Sequence, residues 1–430
     1  MDHSQFADLA SWVTQAGLAG KEEKGLVAGF CERIRVLGLP LARASVFIDT
    51  LHPLYEGRMF PWRSGEAMRP PIEYGPTTQG DALANWQRSP FYRMLQSGES
   101  LLRLTVREEI KERHPIFIEL HEAGMTEFVA IICRFAAKGT IGEMDCVYSS
   151  WSTDRPGGFS DADVADLERL VPMLALAVKS VSLTRIAKTL VETYLGRDAG
   201  RRVISGSIGR GVADQIEAAL WFSDLHDYTR ISDTASPGQI IPFLNDYADA
   251  IISAIHDEGG DVLKLIGDGT LAIFTAENRG DACRAALAAA SRARQSVAEL
   301  NQRRSSEELP TTSMYLGLHI GEVYFGNIGS RERLDFTVVG PAVNEVSRIA
   351  AMCRSVDQSF LASSSFASAL GEAQGQLVSV GRYALRGVGR PQDLFTLDPQ
   401  ALEAALADGV IVVGDDGAAD PKRSPATSIG

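Results

Sequence analysis

The chain has 430 residues, 45% of them hydrophobic, and a formal net charge of −13 at pH 7. That length accommodates two or three packed cores, and the acidic balance argues against a nucleic-acid partner, which needs a basic face. Cys31, Cys133, Cys146, Cys283 and Cys353 are scattered without paired spacing, which fits a reducing compartment rather than a disulfide framework or a zinc site.

The opening Met-Asp-His-Ser-Gln lacks a basic-then-apolar leader pattern. No window approaches roughly 18 consecutive apolar residues, so no membrane span is expected and the chain reads as cytoplasmic. Residues 5–37 predict amphipathic helix, broken near Gly17–Gly20. Ala44-Ser-Val-Phe-Ile predicts a strand, with Gly57-Arg-Met-Phe-Pro-Trp as its hairpin partner. Ser89-Pro-Phe-Tyr-Arg-Met-Leu predicts a short capped helix with proline in its first position. Leu101 to Val106, Phe128 to Phe135 and Asp145 to Ser150 supply further strands.

A Gly-rich turn then leads into a long helix. Ser160 suits its N-cap, and Asp163 can complete a capping box. Val164, Leu167, Val171, Leu174, Val178 and Val181 follow at alternating three- and four-residue spacings, and Leu183, Ile186 and Leu190 resume the rhythm. Such a seam packs on its own domain or pairs with a copy of itself, and pairing across a dimer is the preferred expectation. Pro172 predicts a kink or a fresh helix start. In its element order and its closing strand–turn–helix segment, 1–158 resembles a GAF-type sensor domain. Its aromatic residues Phe60, Trp62, Phe91, Tyr92, Phe117 and Trp151 line a pocket or fill a core, and core filling is the better prior. The spacing of His52, His114 and His121 indicates no metal. Residues 159–213 read as a helical connector ending in a Gly- and Arg-rich junction, and 399–430 as a largely disordered tail.

The remaining stretch, 214–398, carries the chemistry. Asp224 ends the apolar run 218–223, and Asp268 sits in Lys-Leu-Ile-Gly-Asp-Gly before a second apolar run. A carboxylate at the exit of a buried strand is costly unless something positive meets it. Each aspartate alone reads as a cap or a turn residue; together, with Asp268 at the tip of a hairpin turning at Gly267 to Gly269, they suggest a site for Mg²⁺ or Mn²⁺. The backbone N–H groups from Asp227 to Thr229 are placed to cradle phosphate. Asn344 and Arg348 are four residues apart in a helix-compatible stretch and share one face. Gly259-Gly-Asp looks like the start of a diguanylate cyclase signature, but it continues Val-Leu and lacks the acidic residue needed next.

Four blocks decide between these readings: 221–229 (Trp-Phe-Ser-Asp-Leu-His-Asp-Tyr-Thr), 264–274, 317–329 and 335–350. In this order and spacing, residues 217–396 resemble the class III nucleotidyl cyclase catalytic domain. The resemblance implies an α+β, ferredoxin-like sandwich with a mostly antiparallel sheet. It implies two divalent metal ions held by Asp224, Asp268 and the Leu225 carbonyl. It gives Asn344 and Arg348 the ribose and the α-phosphate, and Lys264 and Thr337 the base. It implies a homodimer whose active sites are shared between chains, and a basic residue, Arg386 or Arg390, on the triphosphate.

Lysine is a pure donor, so Lys264 meets adenine N1 and clashes with the guanine N1–H. The expected activity is therefore conversion of ATP to cyclic AMP and pyrophosphate, with an unidentified small molecule or protein acting on the N-terminal domain. Guanylate cyclase is the alternative, as is a catalytically silent nucleotide-binding regulator, although the loss of site residues that would mark the latter is absent. One departure from the family pattern stands out: His226-Asp227 replaces an Arg-Gly type pair and brings negative charge near the phosphates.

Overall fold

The computed structural model describes residues 1–107, 115–135, 142 and 144–398. It divides into two compact units, Met1–Val191 and Glu192 onward. The tail 399–430 and His114 lie outside the described residues.

The N-terminal unit begins with helices α1 (His3–Leu18) and α2 (Glu23–Val36). Strands β1 (Arg43–Asp49), β2 (Gly57–Arg63) and β3 (Ile72–Tyr74) come next. Helices α3 (Gly80–Arg88) and α4 (Pro90–Ser97), strand β4 (Leu101–Thr105) and helix α5 (Pro115–Glu122) follow. Strands β5 (Glu127–Arg134) and β6 (Cys146–Thr153) then lead to the long helix α6 (Asp161–Leu195), inside which the division between units falls. Among the described residues the sheet runs β3-β2-β1-β6-β5-β4 with antiparallel pairing throughout.

Both faces of this sheet are buried, which explains the unbroken apolar run of β5. Val129 and Ile131 face a core with Phe30, Trp62, Trp151 and Leu167, while Phe128, Ala130 and Ile132 face Phe91, Met94, Phe117 and Tyr148. Phe60, Trp62, Phe91, Phe117 and Trp151 are all core side chains. His52 stacks on Tyr55 with ring centroids 3.8 Å apart.

The start of α6 is fixed by the reciprocal bonds of its cap: Asp163 N donates to Ser160 Oγ (3.2 Å) and Ser160 N donates to Asp163 Oδ2 (2.8 Å). The seam expected to pair with a second chain is committed within its own unit. Val164, Leu167, Val171, Leu174, Val178 and Ile186 are buried in the core shared with α1 and α2. The helix also continues through Pro172 with no fresh start there, and Pro172 lies on the exposed side. α6 is long and apolar enough, by length and composition alone, to cross a membrane, although no run of consecutive apolar residues marks it in the sequence.

Within the second unit, the Gly- and Arg-rich stretch is more ordered than its composition suggests, because it forms helix α7 (Arg197–Ile204). Ala199 packs in a core with Leu220, Leu263 and Phe325, and Arg202 bridges Asp198 (2.8 Å) and Asp214 (2.9 Å). Strand β7 (Ala213–Leu225), helices α8 (Tyr228–Thr234) and α9 (Pro237–Asp257), strands β8 (Asp261–Ile266) and β9 (Gly269–Phe274) and helix α10 (Arg279–Ser306) follow. Strands β10 (Met314–Gly329) and β11 (Leu334–Val339), helix α11 (Pro341–Ser355), strand β12 (Phe360–Ser363), helix α12 (Ser364–Ala369) and strands β13 (Leu377–Tyr383) and β14 (Gln392–Leu397) complete it.

The sheet order is β13-β14-β12-β10-β7-β9-β8, with β11 paired to β10; the β10–β12 pairing is parallel and the others antiparallel. Period-two alternation along β7 separates two layers. Ala219, Trp221 and Leu225 meet α9 and α10, whereas Ala218, Leu220 and Phe222 face the side that holds α11. On α9, Ile251 and Ile255 are buried as their spacing predicts, but Ile241 near its start is 62% exposed, one residue off the apolar stripe.

Candidate active site

Asp224 continues the even-numbered series of β7 and so falls on the α11 side of the sheet, directly opposite Tyr315 of β10. The β8–β9 hairpin closes with Ile266 paired to Gly269, leaving Gly267-Asp268 as a two-residue turn. Gly267 takes φ +64, a conformation open to glycine without strain. That turn carries Asp268 to the end of β7, where its Oδ2 accepts a hydrogen bond from Leu225 N at 3.2 Å. Burial, a hydrogen bond to Asp268 and the negative charge of Asp268 together raise the Asp224 carboxyl to about 6.

Two facing carboxylates at a strand end are hard oxygen donors that fit a divalent metal ion. Among the described residues no cluster of three His, Cys, Asp or Glu side chains forms a fuller cage. The candidate donors are thus the two carboxylates.

The segment after Leu225 is clamped by the layer behind it. His226 N donates to Ser313 O (2.8 Å), and Thr312 Oγ1 donates to His226 O (2.5 Å). Thr312 N in turn donates to Tyr247 Oη (2.9 Å). Asp227 takes a left-handed φ of +54 just before α8, with Arg230 Nε 3.5 Å and His226 Nδ1 3.7 Å from its Oδ2. The departure from the family pattern is therefore partly offset by neighbouring nitrogens. Thr229, in the first turn of α8, is exposed.

Asn344 and Arg348 lie on α11, whose seat on β10 is unusually close. A Cβ on Gly317 would stand 2.6 Å from Ala350 N and 2.8 Å from Val346 O, and one on Gly321 would stand 2.8 Å from Ala342 Cβ. Between these glycines, His319 bonds Ser363 Oγ through Nδ1 (2.8 Å), and its Nε2 lies 3.5 Å from Glu345 Oε2. Gln392 Nε2 donates to the same Glu345 oxygen at 2.7 Å. Burial lowers the His319 pKa against the opposing pull of Glu345. Glu345, adjacent to Asn344, is thereby held from β10 and from β14.

The two base-specifying candidates come from β11 and β8, which do not pair with each other in the sheet. Thr337 is buried on β11, and Lys264 on β8 donates to Asp335 Oδ2 at 2.7 Å. Asp335 and Thr337 are two apart on one strand, so they share a face, and Lys264 joins it. Asp335 was missed by sequence reasoning, although its period-two spacing from Thr337 was a usable signal. Arg386 and Arg390 are both exposed in the turn between β13 and β14. Nothing in the geometry favours one of them over the other.

Comparison with known proteins matches this segment of the sequence to a family. Residues 213–398 match the family model for the adenylate and guanylate cyclase catalytic domain. The chain is 28% identical over 220 residues to "Adenylate cyclase 1" of Rhizobium meliloti, a match covering 49% of this chain and 32% of that protein. It is 36% identical over 143 residues to "Adenylate cyclase" of Anabaena cylindrica, covering 32% of this chain and 28% of that protein. The chain thus spans about a third of the length of these curated relatives. Among solved structures, the adenylyl cyclase CyaB from P. aeruginosa aligns at TM-score 0.40 and 21% identity, covering 44% of this chain and 96% of that one. Residues 213–398, less than half of the chain, are therefore an adenylate and guanylate cyclase catalytic domain.

Proposed function

We propose that this protein is an adenylate cyclase, converting ATP to 3′,5′-cyclic AMP and pyrophosphate. The observation that carries the reading is the meeting of Asp224 and Asp268 at the end of β7, on a domain whose sequence belongs to the cyclase family. Asp224, Asp268 and the Leu225 carbonyl would hold two Mg²⁺ or Mn²⁺ ions. When bound, these supply Lewis-acid activation of the ribose 3′-hydroxyl and charge neutralisation on the triphosphate.

The chain's own residues do the rest. Asn344 orients the ribose, and the Arg348 guanidinium matches the spread charge of the α-phosphate as the 3′-oxygen attacks and pyrophosphate leaves. Lys264, aimed by Asp335, donates to adenine N1, and Thr337 receives the exocyclic amino group. Thr229 and Arg386 complete the phosphate side. The two sets are expected from opposite chains of a homodimer, giving two equivalent sites. The N-terminal unit is read as a GAF-like sensor, and the protein as cytoplasmic.

Base choice is tested by Lys264→Glu with Thr337→Cys. The reading predicts cyclic AMP from the parent protein and raised GTP use by the double variant. Cyclic GMP as the main product of the parent protein would instead support the guanylate cyclase alternative.

A further inference from the structure

The metal end of the site holds two carboxylates, Asp224 and Asp268, with Asp227 three residues further along the chain. A nucleotide triphosphate brought to it adds more negative charge than two divalent ions offset with the aspartates counted. Cations of the chain's own are therefore the groups to look for. Arg230 is engaged with Asp227 (3.5 Å) and Lys264 with Asp335 (2.7 Å).

Arg354, in the last turn of α11, is different. It is exposed and, among the described residues, has no carboxylate partner. Its guanidinium lies over the ring of Tyr315, 5.8 Å from the centroid, and His226 also lies beside that ring, with centroids 5.0 Å apart. Tyr315 is the cross-strand partner of Asp224, so the two side chains emerge side by side on one face of the sheet.

Helix geometry separates Arg354 from the transition-state arginine. Six residues at about 100° each place Arg348 and Arg354 roughly 120° apart around α11, so one helix presents arginines in two directions. We propose that Arg354 is a substrate-binding residue, held against Tyr315, that contacts the terminal phosphates of a nucleotide triphosphate bound at Asp224 and Asp268 of the same chain. The inference rests on the metal-nucleotide reading of that end and adds a ligand to it. Arginine suits the task because its planar fork meets phosphate oxygens in pairs and stays charged at every working pH.

The test separates this inference from the cyclase reading. Calorimetric titration of the full chain with tripolyphosphate in MnCl₂ probes the phosphate subsite without turnover. Arg354→Gln is expected to weaken binding about tenfold, with Arg354→Lys retaining affinity within about threefold. In ATP kinetics the same Arg354→Gln is expected to raise KM about tenfold and to change kcat little. Equal tripolyphosphate affinity in the parent protein and Arg354→Gln, or no binding by either, overturns the proposal whether or not the enzyme turns over. Arg354-dependent binding in a protein that forms no cyclic product would keep the phosphate site and sink the cyclase reading.

Discussion

The Lys264 ammonium donates to Asp335 Oδ2 at 2.7 Å, tying β8 to β11 beside buried Thr337. Both partners are more than a third exposed, so the pair adds little to stability. Its consequence is directional: a flexible four-carbon chain is held toward the face it shares with Thr337. Asp335→Ala should leave the urea midpoint nearly unchanged, with a stability change of about 0.5 kcal/mol or less. It should lower kcat/KM for ATP roughly three- to tenfold and narrow the ATP-to-GTP ratio. An unaltered ratio would remove Asp335 from the account of base choice.

Gly317 sets the distance between β10 and α11. Since a Cβ there meets backbone atoms, Ala350 N and Val346 O, the helix itself must move. Gly317→Ala should destabilise the catalytic domain by about 1–3 kcal/mol. Displacing Asn344 and Arg348 should also lower kcat roughly ten- to a hundredfold, well beyond any effect on KM. Thermal unfolding and steady-state kinetics measure the two effects separately.

The Asp224–Asp268 pair makes a pH prediction of definite sign. With its carboxyl raised from 3.8 to about 6 in the folded protein, Asp224 is protonated over a window in which the unfolded chain has already ionised. The folded state binds more protons there, so metal-free stability falls as pH climbs from about 4 through about 6. Asp268→Asn removes the facing charge. In metal-free protein at pH 7.5 it should raise Tm, while abolishing the further rise that Mn²⁺ gives the parent protein. A Tm insensitive to Mn²⁺ in the parent protein would contradict the metal reading of the pair.

In the N-terminal unit, Glu23 is 1% exposed and accepts from Arg185 Nε (3.0 Å), Arg185 Nη2 (2.7 Å) and Ser182 Oγ (3.2 Å). Burial pushes its pKa up, but the hydrogen bonds and charge of Arg185, with help from Arg58, bring it below the usual glutamate value. The pair joins α2 to α6. Glu23→Ala should destabilise the unit by about 3 kcal/mol, because both arginines lose their buried counter-charge. Calorimetric unfolding of the full chain measures it, and Glu23→Gln should recover part of the loss.

How much of this was legible in sequence follows from how local each signal is. The cap of α6, the Gly267-Asp268 turn and the shared helix of Asn344 and Arg348 are short-range, and short-range spacing predicts them. Long-range partners were not legible. Glu23 reads as one more solvated charge in Lys-Glu-Glu-Lys until α6 brings Arg185 to it. Arg354 reads as an ordinary basic residue at a helix C-terminus until β10 places Tyr315 under it. Helix α7 was hidden by its glycines and arginines, whose order depends on burying Ala199 and pairing Arg202. The α6 seam shows the limit of periodicity. Its spacing is the same whether the partner is a second chain or the unit's own α1 and α2, and only the structure shows those side chains already buried.

The most direct test of the central claim is turnover of ATP and GTP by the full chain with Mn²⁺, beside Asp268→Ala. The account predicts cyclic AMP from the parent protein and none from the variant. Undiminished cyclic AMP from Asp268→Ala, or no cyclic product from either nucleotide with the parent protein, would contradict it.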